Sequence, residues 1–416
     1  NGSINTSTAR SFTIGGTAGI AATGAGTLEF TSTSNFATTG DTPGLTLSAS
    51  NAAAGENRFA SSLAVGSNPL ANLAIDGTGK WVLGGSANRF KGDVRVDIGG
   101  GATLGFESGS LGMGSTYASS DIVVANGSTL AWSGSGNTDD ISARLQVPAN
   151  ATAKLDLGAN NVTFATAPDM GAGASLQKQG SGTLNVSFSA PTLNVAVSSG
   201  TLSVNGSLGA ITLTNGATLG GAGTIASATV VNGAILSPGN SPGTLNATSL
   251  TFVGGSYFDW QVQDATDLTN GFDKINLSGS LDLTGASASN RVKFRITSLL
   301  GAGNGTTLGE PLNFAAPGVA AQPTVFQFGT VAAGGSGVLL NSGLNISDVF
   351  EIDVTGFKYS DGSSSNAGLW SIDWNQSNGA ITLTAVPEPS TYGFAMGALA
   401  LAAAAIRRRK RQATKA

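Results

Sequence analysis

Gly200-Thr201-Leu202-Ser203-Val204 opens the stretch that decides the fold, residues 200 to 245. Its short apolar segments recur every four to ten residues, at Thr201-Leu202, Ile211-Thr212-Leu213, Ala217-Thr218-Leu219, Thr224-Ile225, Val230-Val231 and Ile235-Leu236. Alternation with a period of two is typical of strands that bury one face. Glycine and asparagine between such segments favour tight turns. The stretch therefore predicts an all-β fold built of many short strands.

Two arrangements of these strands are open. Asn215-Gly216 and Asn232-Gly233 are strong hairpin signals, which would give an antiparallel sandwich. Strands of two to four residues are too short for a stable hairpin sheet, however, and are usual in the rungs of a solenoid. The pattern favours a parallel β-helix over the sandwich.

A glycine phrase recurs outside this stretch. Gly-x-Gly leads into an alternating strand at residues 24–30, 77–83 and 180–186, and such recurrence indicates stacked units. The middle copy continues through Gly84 to Gly92, Val94-Arg95-Val96 and Gly101 to Leu104. In these residues the chain resembles the autotransporter-associated β-strand repeat. That resemblance implies a right-handed parallel β-helix, which we assign to residues 1–250.

Composition agrees with an all-β chain and excludes several kinds of site. Gly accounts for 61 of the 416 residues and charged residues for 11%, whereas 40% are hydrophobic, so a core is available. The chain has no cysteine and no histidine. This excludes disulfides, thiolate metal sites, imidazole zinc sites and Ser-His-Asp triads. We expect no cofactor and no metal.

The net charge of −4 hides an asymmetry. Residues 407–416 carry six of the 20 Lys and Arg, which leaves 14 positive and 23 negative side chains in residues 1–385. The body is therefore close to −9. Binding to nucleic acid needs clustered cations on one face, so we expect no nucleic-acid partner.

After residue 250 the residue pattern changes and aromatic residues become frequent. Phe252, Tyr257, Phe258 and Trp260 form the densest aromatic cluster, and we interpret residues 251–385 as a β-rich C-terminal cap. Within it, alternation predicts strands at 292–296, 325–328, 350–354, 369–374 and 381–384. A solenoid needs such a cap because a bare last rung exposes unpaired backbone and apolar side chains.

Residues 386–412 form a third segment. Pro387-Glu388-Pro389 ends the body, since neither proline can donate to a β-ladder. The uncharged run from Tyr392 to Ile406 follows and predicts a short transmembrane helix. Five cations come next, at Arg407, Arg408, Arg409, Lys410 and Arg411. By the positive-inside preference they place the end of this helix in the cytoplasm and the body outside.

This tail closely resembles the PEP-CTERM sorting signal of bacterial envelope proteins. Pro387, Glu388 and Pro389 match its motif, the run from Tyr392 its helix, and Arg407 to Arg411 its basic end. The resemblance implies export to the cell envelope, surface or exterior, transient anchoring in the inner membrane, and an exosortase-type processing enzyme as partner. Asn1 opens the sequence with no basic start and no apolar signal segment, so export implies a signal peptide that has been removed or that lies outside this sequence. A plain anchor that is never cleaved is the alternative.

Carboxylates offer a few candidate sites. Asp264, Asp267, Asn270 and Asp273 surround Gly271, and Asp139-Asp140 follow a glycine-rich turn, so calcium is one interpretation and a polar loop the other. Glycoside hydrolysis needs two facing carboxyl groups. The pairs Asp93/Asp97 and Asp353/Asp373 cannot be placed in a shared groove from the sequence.

Three functions remain, and the first is favoured. It is a non-enzymatic surface or extracellular-matrix protein associated with exopolysaccharide or biofilm. The second is a carbohydrate-active lyase or hydrolase on the same scaffold. The third is an adhesin for a glycan or a neighbouring cell, for which Trp81 and Trp132 are the candidate contacts. For both tryptophans a position in the core or on a strand surface is the favoured interpretation.

Overall fold

Short strands dominate the computed structural model. It describes residues 6–32, 36–40, 43–50, 55–63, 69–92, 94–96, 101–112, 121–301, 307–314, 324–333, 337–359, 362 and 365–385. Helix in these ranges is limited to single turns, the α-helix Ile346–Val349 and the 3₁₀ turns Ser142–Arg144 and Ala367–Leu369. The predicted all-β class is confirmed. None of the helices in these ranges is long and apolar enough to cross a membrane.

Parallel pairing joins the strands into three large sheets. The long sheet contains Thr6–Thr8, Leu28–Phe30, Asn57–Phe59, Lys80–Leu83, Thr103–Phe106, Thr129–Trp132, Thr152–Asp156, Ser175–Gln179, Ser189–Ala190, Asn194–Val197, Ser207–Leu213, Thr224–Val230, Thr244–Val253, Lys274–Leu277, Leu281–Gly285, Thr324–Thr330, Val338–Leu339, Trp370–Asn375 and Ala380–Ala385. The N-terminal sheet contains Thr17–Ala22, Gly44–Ala49, Asn72–Gly77, Val94–Val96, Ile122–Val124, Leu145–Val147 and Asp169–Met170. The C-terminal sheet contains Val162–Phe164, Thr183–Val186, Thr201–Val204, Thr218–Gly221, Ile235–Pro238, Tyr257–Val262, Val292–Ser298 and Phe350–Gly356. A small sheet pairs Thr13–Ile14 with Ala37–Thr38.

The core is built from columns of apolar side chains, in which register-matched residues of neighbouring strands lie one above another. In the C-terminal sheet, Leu184, Leu202, Leu219 and Leu236 pair in register on successive strands, 17 or 18 residues apart, and all four are buried. The preceding position of each strand faces outward and is threonine in three of the four. Burying one leucine side chain contributes roughly 1.5–3 kcal/mol. Apolar stacking therefore sets the register along the chain.

The Asn-Gly turns do not form hairpins. Gly216 and Gly233 both have positive φ, +79° and +77°, which glycine adopts without strain. The strands that flank Gly216 belong to different sheets, so they do not pair with each other. Each pairs with the preceding and the following strand of its own sheet. The turns themselves stack, because the Gly216 amide donates to the Gly233 carbonyl at 3.0 Å.

The parallel ladders continue through the segment assigned to the cap. The strand Thr244–Val253 spans the predicted boundary at residue 250, and the C-terminal sheet runs on to Phe350–Gly356. The five strands predicted there are present as Val292–Ser298, Thr324–Thr330, Phe350–Gly356, Trp370–Asn375 and Ala380–Ala385. Antiparallel strand pairing in the described residues occurs where Ala380–Ala385 inserts between Thr324–Thr330 and Trp370–Asn375.

One inward position holds a lysine. Lys178 pairs in register with Leu155 on one side and Val197 on the other, and its side chain is fully buried. Its Nζ donates to the carbonyl oxygens of Gly180 (2.7 Å), Ser199 (2.8 Å) and Gly182. An ammonium group has three donors, so each of them finds an acceptor. Desolvation nevertheless lowers the pKa of Lys178 to about 8, against an opposing contribution from Asp156.

We expect this buried amine to make stability depend on pH. Its folded-state pKa of about 8 lies below the ordinary value of 10.5, so between these values the unfolded chain binds more protons. The free energy of unfolding therefore rises with pH through this window. Urea denaturation at several pH values should show this rise in the wild type and lose it in Lys178→Met. Lys154→Met, on a partly exposed position of the neighbouring strand, is the control; an unchanged slope in Lys178→Met contradicts the assignment.

Candidate functional site

The tail leaves the body from a firmly held strand. Ala380–Ala385 is paired on both edges, and its last residue, Ala385, lies opposite both Thr324 and Trp370. Ile381, Leu383 and Ala385 point into the core and are buried. The described body thus ends at the residue before Val386. The predicted sorting residues Pro387, Glu388 and Pro389, the predicted helix, and the cluster Arg407, Arg408, Arg409, Lys410 and Arg411 lie outside the described residues.

An aromatic cluster packs beneath this exit. The Trp370 ring lies 5.4 Å from Phe357, 5.9 Å from Phe314 and 6.5 Å from Phe326, measured between centroids. The Trp370 Nε1 donates to the Ser365 hydroxyl at 3.0 Å. Aromatic pairs add about 0.5–1.5 kcal/mol beyond their buried area. The cluster therefore stabilises the two strands, Thr324–Thr330 and Trp370–Asn375, between which the last strand lies.

The acidic loop at 264–273 is divided by the fold. Asp264 is partly exposed and Asp267 exposed, and they accept backbone amides of their own loop, those of Thr266 (2.8 Å) and Thr269 (2.8 Å) respectively. Asp273 is buried instead, and its two carboxylate oxygens accept the amides of Gly243 and Gln261, both at 2.9 Å. Burial raises the pKa of Asp273 well above its usual value. In the described ranges no group of three potential ligands is arranged to hold a metal ion.

Asp139 and Asp140 act as turn anchors. The Asp139 carboxylate accepts from the Ser108 hydroxyl at 2.8 Å and from the Gly109 amide at 2.6 Å. Asp140 accepts the amides of Ser142 at 2.9 Å and Ala165 at 3.0 Å. Both side chains therefore connect turns that are 25 to 31 residues apart in the sequence, in agreement with the polar-loop interpretation.

Of the two proposed carboxylate pairs, one lies within the described residues, and its members are on strands of different sheets. Asp93 and Asp97 lie outside the described residues. Asp353 lies on the C-terminal sheet, where a hydrogen bond from the Thr355 amide at 2.9 Å lowers its pKa. Asp373 lies on a strand of the long sheet and accepts from the Ser371 hydroxyl at 3.2 Å.

A charged row on the C-terminal sheet escaped the sequence analysis. Arg295 lies in register between Asp259 and Asp353 and binds Asp259 through two hydrogen bonds of 2.5 and 2.7 Å. The Arg295 guanidinium also lies 4.4 Å from the centre of the Tyr257 ring. Burial raises the pKa of Asp259, although the bond from Arg295 opposes this. The sequence shows Lys293 and Arg295 at alternating positions of one strand. It does not show that Asp259, 36 residues before Arg295, lies on the neighbouring strand.

The two candidate tryptophans are core residues. Trp81 is fully buried, stacks on Phe59 at 5.5 Å and donates from Nε1 to the Ser48 carbonyl at 3.1 Å. Trp132 is 3% exposed and donates to the Asp139 carbonyl at 3.0 Å. Neither tryptophan is available as an exposed contact for a ligand, in agreement with the interpretation of both as core residues.

Two of the surface clefts are lined by described residues. The polar cleft, of about 390 Å³, lies on the long sheet and is lined by Thr224, Asn246, Ala247, Thr248, Asn276, Leu277 and Ser278. The terminal cleft, of about 370 Å³, lies beside the strand Trp370–Asn375 and includes Arg291, Glu351 and Trp370 in its lining. No carboxylate is found among the described residues that line the polar cleft, and Glu351 is the one carboxylate among those of the terminal cleft.

Comparison with known families identifies the tail. The PEP-CTERM protein-sorting motif matches residues 385–410, so the match begins at the last residue of the final strand. This motif indicates a protein that an exosortase processes and sorts to the cell surface, which implies export to the cell envelope or surface. The comparison with curated proteins gave no match.

We expect Asp139 to stabilise the fold without calcium. Asp139→Ala removes the acceptor for the partly exposed turn at Ser108 and Gly109, which should lower the free energy of unfolding by about 0.5–1.5 kcal/mol. Thermal denaturation of wild type with and without about 10 mM Ca²⁺, above the ~10⁻⁴–10⁻³ M dissociation constants of extracellular modules, should give the same Tm. Asp169→Ala, at an exposed carboxylate, is the control; a rise in Tm with Ca²⁺ that Asp139→Ala abolishes contradicts this.

Proposed function

We propose that this protein is a non-enzymatic surface or extracellular-matrix protein, a right-handed parallel β-helix related to the autotransporter-associated repeats. The observation that carries the proposal is the junction at Ala385. There a body of stacked parallel strands ends in a doubly paired strand, and the sorting motif starts at the same residue. A folded body followed directly by a removable sorting signal is the organisation expected of an exported protein.

The tail would act in three steps. The run from Tyr392 to Ile406 would hold the exported chain in the inner membrane for a time, and Arg407 to Arg411 would keep its end on the cytoplasmic side. The exosortase would then recognise Pro387-Glu388-Pro389 on the outer side and release the body. Because the last strand is paired on both edges with strands of the body, cutting after it leaves these strand pairings intact.

The body suits a structural role near exopolysaccharide or in a biofilm. Parallel ladders give an extended surface, and the chain lacks the histidine and cysteine on which much hydrolytic chemistry depends. The two clefts also lack a pair of carboxylates among their described linings, which supports a non-enzymatic role. A body close to −9 would be repelled by anionic polymers, so the proposal favours uncharged polysaccharide.

Processing can be tested in the native cell. Intact-mass measurement of the envelope fraction should give a C-terminus near Pro389, and loss of the exosortase should leave full-length chain in the inner membrane. The variant Pro387→Ala/Pro389→Ala should also accumulate there. We expect at least a tenfold loss of surface protein, because cleavage is the release step.

The matched control is Pro323→Ala, a proline outside the motif, which should be processed normally. Full-length protein with an intact Arg407 to Arg411 cluster at the cell surface of wild type would contradict processing. It would favour a permanent anchor instead.

A further inference from the structure

The long sheet carries a column of uncharged polar residues on its outer face. Six of them pair in register on successive strands, although they are far apart in sequence: Ser189, Ser207, Thr224, Asn246, Asn276 and Thr330. All six are exposed or partly exposed. At a strand spacing of about 4.8 Å, this polar column runs for roughly 24 Å across the sheet.

Hydrogen bonds hold the column in order. The Asn276 amide donates to the Asn246 side-chain oxygen at 3.3 Å, and the Thr330 hydroxyl donates to the Asn276 side-chain oxygen at 3.3 Å. Ser189 and Ser207 are bonded through their hydroxyls. Side chains tied to their neighbours lose little further freedom when a ligand binds, which lowers the entropic cost of binding.

The polar cleft opens at the middle of this column. Its volume of about 390 Å³ falls within the ~300–1,000 Å³ range of small-molecule sites. The hydroxyls of Thr224, Thr248 and Ser278, all exposed, make no hydrogen bond to another described residue. The cleft therefore offers free donors and acceptors beside the ordered amides of Asn246 and Asn276.

Charge is missing from this region. Residues 179–258 contain no Asp, Glu, Lys or Arg, and they supply four of the six members of the polar column. Lys274 lies two residues before Asn276 on the same strand but does not line the cleft. A charged ligand would lose hydration here without gaining a counter-charge, whereas an apolar ligand would leave the hydroxyl and amide groups unsatisfied.

We propose that the polar cleft and the polar column bind an uncharged glycan chain. Sugar hydroxyls both donate and accept, as do the hydroxyl and amide groups of the lining. A peptide strand fits less well, because the strands Thr244–Val253 and Lys274–Leu277 are paired on both edges and offer no free backbone ladder. The inference rests on the proposed function only for the extracellular source of the glycan.

The test uses the purified full-length chain on an array of immobilised polymers. The uncharged probes are β-glucan, mannan and galactan, the anionic probes are polygalacturonate and alginate, and a Gly-Ser polypeptide is included. We expect binding to at least one uncharged glycan, with little change between about 50 and 500 mM salt. Thr224→Val and Thr248→Val should each weaken it about three- to tenfold, the loss expected for one hydrogen bond.

Thr218→Val is the matched control, since Thr218 occupies an outward position of the C-terminal sheet, away from the cleft. It should bind like wild type, and circular dichroism should show all three variants folded. The proposal is overturned if no uncharged glycan binds, if both cleft variants bind like wild type, or if only anionic polymers or the polypeptide bind. The array needs no export, so a negative result here leaves the processing experiment standing, and the reverse also holds.

Discussion

In-register stacking of inward side chains is the interaction on which the structure depends. Leu184, Leu202, Leu219 and Leu236 lie one above another, and each parallel strand covers the hydrogen-bonding edge of the one before it. A one-residue slip would turn every leucine outward and every threonine inward, so apolar burial fixes the register strongly. Because the register is fixed, outward positions also align, and the polar column follows from the same constraint.

Several polar side chains inside the stack are satisfied by backbone carbonyl oxygens at turns of the chain. Lys178 binds three of them. Buried asparagines do the same elsewhere: the Asn160 side chain donates to the carbonyls of Trp132 at 3.2 Å and Gly134 at 3.0 Å, and Asn137 donates to Phe106 at 2.8 Å. Each such side chain connects one return of the chain to the next. These residues therefore stabilise the corners, where backbone groups lack ladder partners.

The division between body and tail has a physical basis as well. Doubly paired Ala380–Ala385 and the aromatic cluster around Trp370 close the body, whereas Pro387 and Pro389 cannot extend a ladder. The folded body therefore ends, and the sorting motif begins, at the same residue, Ala385. The uncharged stretch 179–258 of the body suits the uncharged glycan that we propose as its ligand, and the sorting motif directs the protein to the cell surface.

The sequence alone determined the all-β class, the five strands after residue 290 and the sorting tail, because period-two alternation and a compact motif are local signals. It could not determine which strands pair, since alternation is the same in parallel and antiparallel sheets. Only the tertiary structure decided that Asn246 and Asn276 share a column, that Asp273 turns inward while Asp264 stays partly exposed, and that Trp81 and Trp132 belong to the core. Those outcomes depend on contacts between residues distant in the chain, and the register that creates them is the sum of many apolar burials rather than a property of any one segment.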